Sequence, residues 1–212
     1  MRTKKDTLEI KSRLLEHFGK PETELKFSNL YELLVAVMLS AQCTDKRVNL
    51  ITPAFFKEYP SVVELSNANL SSVKELIKSC NFYNNKAKNL ILMAKSVMEN
   101  FNAEIPLDTN LLVSLAGVGR KTANVVMIEY AGANLMAVDT HVFRVGTRLG
   151  LTKAKTPELA EIDLTKAFKT ELNYLHQAMV LFGRYTCKAV KPECDKCFLY
   201  DLCKSKDKIK FE

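Results

Sequence analysis

Leu111-Leu112-Val113-Ser114-Leu115-Ala116-Gly117-Val118-Gly119-Arg120-Lys121-Thr122-Ala123-Asn124-Val125-Val126 reads as one helix, a turn and a second helix. Asp108 caps the first helix, which should end near Leu115, and the second should begin around Arg120. Gly117 and Gly119 permit backbone with φ > 0 between them and let another backbone come close. The N–H groups opening the second helix, with the positive end of its dipole behind them, make an anion site suited to a phosphate. A glycine-rich turn between packed helices is common and needs no ligand. Here Arg120 and Lys121 stand where cations oppose the dipole, which favours the phosphate reading. The same dipole disfavours the charged form of Lys121, and a lysine is a nucleophile only as the neutral amine.

Working outward, the apolar spacing stays helical. Leu30, Leu33, Leu34, Val37 and Met38 repeat at helical intervals, as do Leu90, Met93, Ala94, Val97, Met98 and Phe101. Leu172, Leu175, Met179 and Val180 do the same, and no convincing series of alternating strands appears. The fold class is therefore all-α, built from many short helices. Further helix starts are expected at Asp45, Ser61, Asp139, and Thr156 followed by Pro157. Ala131-Gly132-Ala133-Asn134 is the best breakpoint. The tail lysines Lys204, Lys206, Lys208 and Lys210 read most simply as a solvated end.

Asp139 opens a helix eighteen residues beyond Lys121. Its simplest role is an N-cap, but a carboxylate held by capping can also take a proton from a lysine or steady a cationic intermediate. His141 and His176 read as structural, since each lies within an amphipathic helix and no ligand spacing joins them. His17 is a polar residue near the end of the first helix.

The longest uninterrupted apolar run, Leu33 to Leu39, is too short to cross a bilayer, and no export signal follows the basic start. A membrane protein is thereby excluded and a cytoplasmic address expected. The net charge of +7 suits a polyanion such as nucleic acid without requiring one.

Of six cysteines, Cys43 and Cys80 are isolated, whereas Cys187, Cys194, Cys197 and Cys203 crowd the C-terminal end. Four thiolates within that reach can enclose either a 4Fe–4S cluster or a zinc ion. Only one Cys-x2-Cys pair is present, and the spacing leans towards the cluster. Lys188 and Lys191, in the loop between the first two cysteines, stand where they could also meet DNA.

Taken together, Leu39-Ser40-Ala41-Gln42-Cys43-Thr44-Asp45, Leu115 to Ala123, Val138-Asp139-Thr140-His141 and Gly183-Arg184-Tyr185-Thr186-Cys187 with the later cysteines resemble the endonuclease III family of helix-hairpin-helix DNA glycosylase/AP lyases. The resemblance runs along nearly the whole chain. It implies two helical domains: a six-helix barrel over residues 22–132, with the hairpin at about 107–131, and an iron–sulfur domain of residues 1–21 and 133–212. Double-stranded DNA containing damaged bases or abasic sites would bind a monomer in the cleft between them. It implies a 4Fe–4S cluster on Cys187, Cys194, Cys197 and Cys203.

By the same resemblance, Lys121 attacks C1′ of a nucleotide carrying an oxidised or ring-saturated pyrimidine, Asp139 assists, and a Schiff base then permits β-elimination. The target is flipped out of the duplex first, at a cost of a few kcal/mol. Gln42 and Phe82 resemble residues that fill the space left behind; their plainer readings are a helix-end amide and a core aromatic. Gly117, Val118, Gly119, Arg120, Thr140, His141 and Lys191 are the other expected DNA contacts.

Three positions depart from the family pattern: Ala116 replaces a usual proline, Phe82 a frequent leucine, and Glu193 brings an acid into a loop that is often basic. Two other readings are a monofunctional glycosylase, which would lack the lysine, and a DNA-binding protein with a structural metal. The latter would need the hairpin but not the pair Lys121 and Asp139.

Overall fold

The structure, a computed structural model, describes residues 2–209; Lys210 of the basic tail lies outside the described residues. The helices are α1 (Lys4–Phe18), α2 (Leu30–Ser40), α3 (Asp45–Glu58), α4 (Val62–Ser66), α5 (Leu70–Ile77), α6 (Tyr83–Asn100), α7 (Thr109–Val113), α8 (Arg120–Ala131), α9 (Thr140–Arg148), α10 (Pro157–Phe168) and α11 (Leu172–Tyr185). A single 3-10 turn spans Cys194–Lys196, and no strand occurs among the described residues, as the periodicity anticipates.

Short polar side chains start most of these helices. Ser61, Asp108, Asp139 and Thr156 each accept a hydrogen bond from a backbone N–H in the following turn, as the sequence suggested. Asp45 is displaced by one position. Thr44 is the cap, its hydroxyl accepting from the Arg47 N–H, and Asp45 becomes the first helical residue. Its carboxylate there still favours the positive end of the dipole.

The chain divides into two compact units, residues 23–131 and residues 2–22 with 132–209. In the first, α2 is the central element. Leu33, Leu34, Val35, Ala36 and Leu39 are fully buried, so the helix is covered on every side rather than along one stripe. It packs on α3, α6 and α8, while α4 and α5 cover other parts of α6 and α7 lies against α8. The apolar run from Leu33 to Leu39 is thus a core helix.

In the second unit, α11 contacts α1 and α9, and α10 lies against both α1 and α9. Its core joins Ile10 and Leu14 of α1, Val142 and Val145 of α9, Leu164 and Phe168 of α10, and Leu175, Met179 and Phe182 of α11. Leu199, from the cysteine segment, is fully buried in the same core, so that segment shares in the folding of this unit. Asn134, from the breakpoint read in the sequence, has a structural task. Its Oδ1 accepts from the Leu172 N–H at 2.9 Å and its Nδ2 donates to the Lys169 carbonyl at 3.0 Å. It thereby caps α11, whose own first flanking residue, Glu171, offers no side-chain cap.

Candidate active site and metal centre

The turn between α7 and α8 is pinned from one side and open on the other. Gly117 has φ +77°, and a Cβ added there would lie 2.7 Å from Cβ of Asn89 on α6, so both backbone and space demand glycine. Gly119 differs from the expectation for the pair. It does not adopt positive φ, and a Cβ there would meet nothing within 4 Å. Its service is open space, together with a carbonyl that accepts from the Ala123 N–H at 2.9 Å.

Val118 is buried and its N–H donates to the Leu115 carbonyl at 3.1 Å. Its side chain anchors the turn from within, leaving Gly117, Gly119 and Arg120 as the exposed surface. Lys121 follows, half-buried in the first turn of α8.

Asp139 belongs to the other unit. Its Oδ1 accepts from the Val142 N–H at 2.8 Å, which fixes the half-exposed carboxylate at the start of α9. Thr140 is exposed beside it. His141 follows in the first turn of α9. Its Nδ1 lies 3.2 Å from Arg144 Nη2, and a Cβ added to Gly183 would come 2.8 Å from its Cβ. Gly183 is therefore where α9 and α11 cross closely. His176 is buried with Nδ1 2.7 Å from the Ala137 carbonyl, a structural arrangement as expected.

Gln42 and Phe82 occupy turns that follow α2 and precede α6. Both are non-glycine residues in the left-handed region, at φ 55° and 57°, a strain of about 1–3 kcal/mol each that the surroundings must hold. Phe82 is 62% exposed, which excludes the core-aromatic reading. Gln42 is also exposed. Asn81 Nδ2 donates to the Gln42 carbonyl at 2.8 Å and ties the two turns together. Lys86 Nζ donates to the carbonyls of Leu39 and Ala41, both at 2.7 Å, and so closes the end of α2. Burial holds its ammonium below the usual lysine range. Sequence reading missed both residues, because each acts through backbone carbonyls some forty positions away.

Cys187, Cys194, Cys197 and Cys203 line one cavity, with Arg148, Phe182 and Tyr200 in its wall. Four thiols set around a shared space suit a polynuclear cluster, whose irons each take one sulfur.

Burial, with the neighbouring thiols adding, pushes Cys197 up to about 11. Binding iron there must displace protons. Arg148 braces the loop. Its Nη1 donates to the Lys188 carbonyl at 2.6 Å and Nη2 to the Ala189 carbonyl at 3.2 Å. Arg144 donates to the carbonyls of Cys187 at 3.0 Å and Gly183 at 2.7 Å. Neither arginine carried a signal in the sequence that marked it for this task.

Three surface expectations change. Glu193 pairs with Lys188 within the cysteine loop, and that lysine holds its carboxyl below the usual carboxylate range. Lys191 is left as the exposed lysine of that loop, in left-handed backbone at φ 50°. His17 is more than a polar helix end, stacking on Phe198 with centroids 4.3 Å apart. The tail folds back rather than running free: the Lys204 N–H donates to the Arg148 carbonyl, and Lys208 Nζ sits 3.7 Å from the centre of the Tyr200 ring. No helix among the described residues is long and apolar enough to cross a membrane.

Residues 35–170 match the HhH-GPD superfamily base excision DNA repair proteins, and residues 187–203, bounded by the first and last of the four cysteines, match the iron–sulfur binding domain of endonuclease III. The chain is 44% identical over 200 residues to endonuclease III of Rickettsia conorii, covering 92% of this chain and 95% of that one. To endonuclease III of Escherichia coli it is 42% identical over 203 residues, covering 95% and 96%. It superposes with a TM-score of 0.93 at 39% identity on an endonuclease III trapped as a covalent intermediate with DNA, covering 96% of this chain and 97% of that one. A non-covalent endonuclease III–DNA complex gives 0.92 at the same identity.

Proposed function

Since the chain belongs to the endonuclease III family of the HhH-GPD superfamily, we propose that Lys121 and Asp139 carry out its base excision chemistry on oxidised or ring-saturated pyrimidines in duplex DNA. The protein is a DNA glycosylase/AP lyase that binds DNA and carries a 4Fe–4S cluster. The observation that carries the residue assignment is the pinned turn. Gly117 and Val118 are held from within, which presents Gly119 and Arg120 outward for a phosphate and sets Lys121 one residue further on.

In this reading the Lys121 amine attacks C1′, the glycosidic bond breaks, and the base leaves with its electron pair. Loss of a C2′ proton from the resulting Schiff base expels the 3′ phosphate and nicks the strand. Asp139, held by its cap, accepts the proton that Lys121 must lose, or stabilises the cationic sugar. The present lysine disfavours the monofunctional alternative, and a structural DNA-binding protein would need neither residue. The enzyme acts as a monomer in the cytoplasm, on double-stranded DNA containing damaged bases or abasic sites. Cross-linking by borohydride tests the reading.

Gln42 and Phe82 fill the duplex once the target has been extruded. Their exposure and their fixed left-handed turns support this. Each alanine replacement should raise the Kd for a lesion duplex about 10-fold, roughly 1.4 kcal/mol, with single-turnover cleavage at saturating enzyme much less affected. Unchanged binding by both variants would make the two side chains bystanders.

Cys187, Cys194, Cys197 and Cys203 are the residues that hold the cluster, supported by their shared cavity and the bracing by Arg148. Protein purified without air should be brown with about four irons per chain, and Cys197→Ser should lose both colour and iron. Stoichiometric zinc under those conditions would refute the assignment. Because ligation displaces thiol protons, reconstitution should become less complete as pH falls.

A further inference from the structure

Cys43 and Cys80 belong to neither the metal centre nor the chemistry at Lys121. They nevertheless face each other, Sγ to Sγ at 3.6 Å, from segments 37 residues apart in sequence. Both are free thiols. Cys43 lies in the turn after α2, its N–H donating to the Ser40 carbonyl at 3.0 Å, and Cys80 in the turn after α5, donating to the Ile77 carbonyl at 2.8 Å. Being in turns, the two sulfurs can close the roughly 1.5 Å to bonding distance without breaking a helix interior.

These are also the turns that carry Gln42, one residue before Cys43, and Phe82, two residues after Cys80. We propose that Cys43 and Cys80 form a reversible disulfide, made by exchange with a low-molecular-weight disulfide, that locks the two turns and weakens lesion binding. Its effect on DNA rests on the wedge reading above.

The exchange runs in two steps. Half-buried Cys43 is the sulfur a reagent can reach, whereas Cys80 is only 2% exposed. The Cys43 thiolate attacks one sulfur of the reagent, its S–S bond breaks, and the first small thiol leaves, taking up a proton. Cys80 then gives up its proton and attacks the Cys43 sulfur of the mixed disulfide, which releases the second small thiol. Two protein thiols are oxidised and one small disulfide is reduced to two thiols.

Burial, with Cys43 beside it, pushes Cys80 up to about 12, which suits it to the resolving step rather than the first attack. The Lys86 ammonium nearby favours the Cys80 anion that the second step requires. In a reducing cytoplasm the pair stays open, and it closes when the thiol pool becomes oxidised.

Closure should disturb the turns because Asn81 already fixes the Gln42 carbonyl at 2.8 Å and both wedge residues sit in strained backbone. Little slack remains to absorb the movement. The test incubates the iron-loaded protein with oxidised glutathione, maps peptides without reductant, and measures lesion-duplex binding before and after adding dithiothreitol.

A Cys43–Cys80 peptide, a chain lighter by two hydrogens, and a Kd raised about 10-fold and restored by reductant are expected. Cys43→Ser should show none of these. No linked peptide in protein that retains its iron overturns the proposal, as does a linked peptide with unchanged or tighter binding. Failure of the wedge reading is distinguishable: Gln42→Ala and Phe82→Ala would then bind like the parent in reduced protein, whatever the peptide map shows.

Discussion

Lys121→Gln should abolish borohydride trapping on a lesion duplex and strand nicking together, while lesion binding changes by no more than a few fold. Only an amine bonded to C1′ gives an iminium that hydride can reduce to a permanent protein–DNA link. Glutamine is one atom shorter, stays polar and has no such amine. It also leaves Gly117, Val118 and Gly119 undisturbed, so the exposed turn still meets a phosphate. The two losses must appear together, because the same covalent species precedes both β-elimination and trapping. Efficient trapping by the variant would mean that another amine does the work. A cross-link mapped in the parent to any residue but Lys121 would refute the assignment directly.

Asp139→Asn is expected to slow base release by about 10²–10⁴-fold and to leave cleavage at a pre-formed abasic site far less affected. The substitution separates two roles of one side chain. Asparagine is as good an N-cap as aspartate, so the bond to the Val142 N–H and the start of α9 should survive. The carboxylate's charge and its capacity to take a proton do not. With an abasic substrate no base has to depart, and Lys121 can form its Schiff base without that help. Equal losses on the two substrates would point to damage to the fold. A matching fall in melting temperature would identify Asp139 as a cap and nothing more.

The class of the fold was legible from one end of the chain to the other. Helical spacing, the short polar residues before most runs and the absence of alternating segments need only neighbours a few positions apart. The hairpin was legible for the same reason, since Gly117, Gly119, Arg120 and Lys121 lie close together in the sequence. So was the grouping of the four cysteines.

What escaped depends on contacts between distant segments. That Gly117 is held by Asn89 while Gly119 stands in open space follows from where α6 runs. That Phe82 projects outward, against its hydrophobic character, follows from a left-handed residue ahead of α6 and from the Asn81 bond to Gln42. Arg148 became the brace of the cysteine loop only once the fold set that loop beside the end of α9. Cys43 and Cys80, isolated in the sequence, became a pair in the same way. By itself the sequence determined helix periods, caps, the charged turn and the ligand spacing, all set by local stereochemistry. Tertiary structure alone decided which carbonyls Arg148, Lys86 and Asn81 reach, and which thiols meet, because those distances arise from packing.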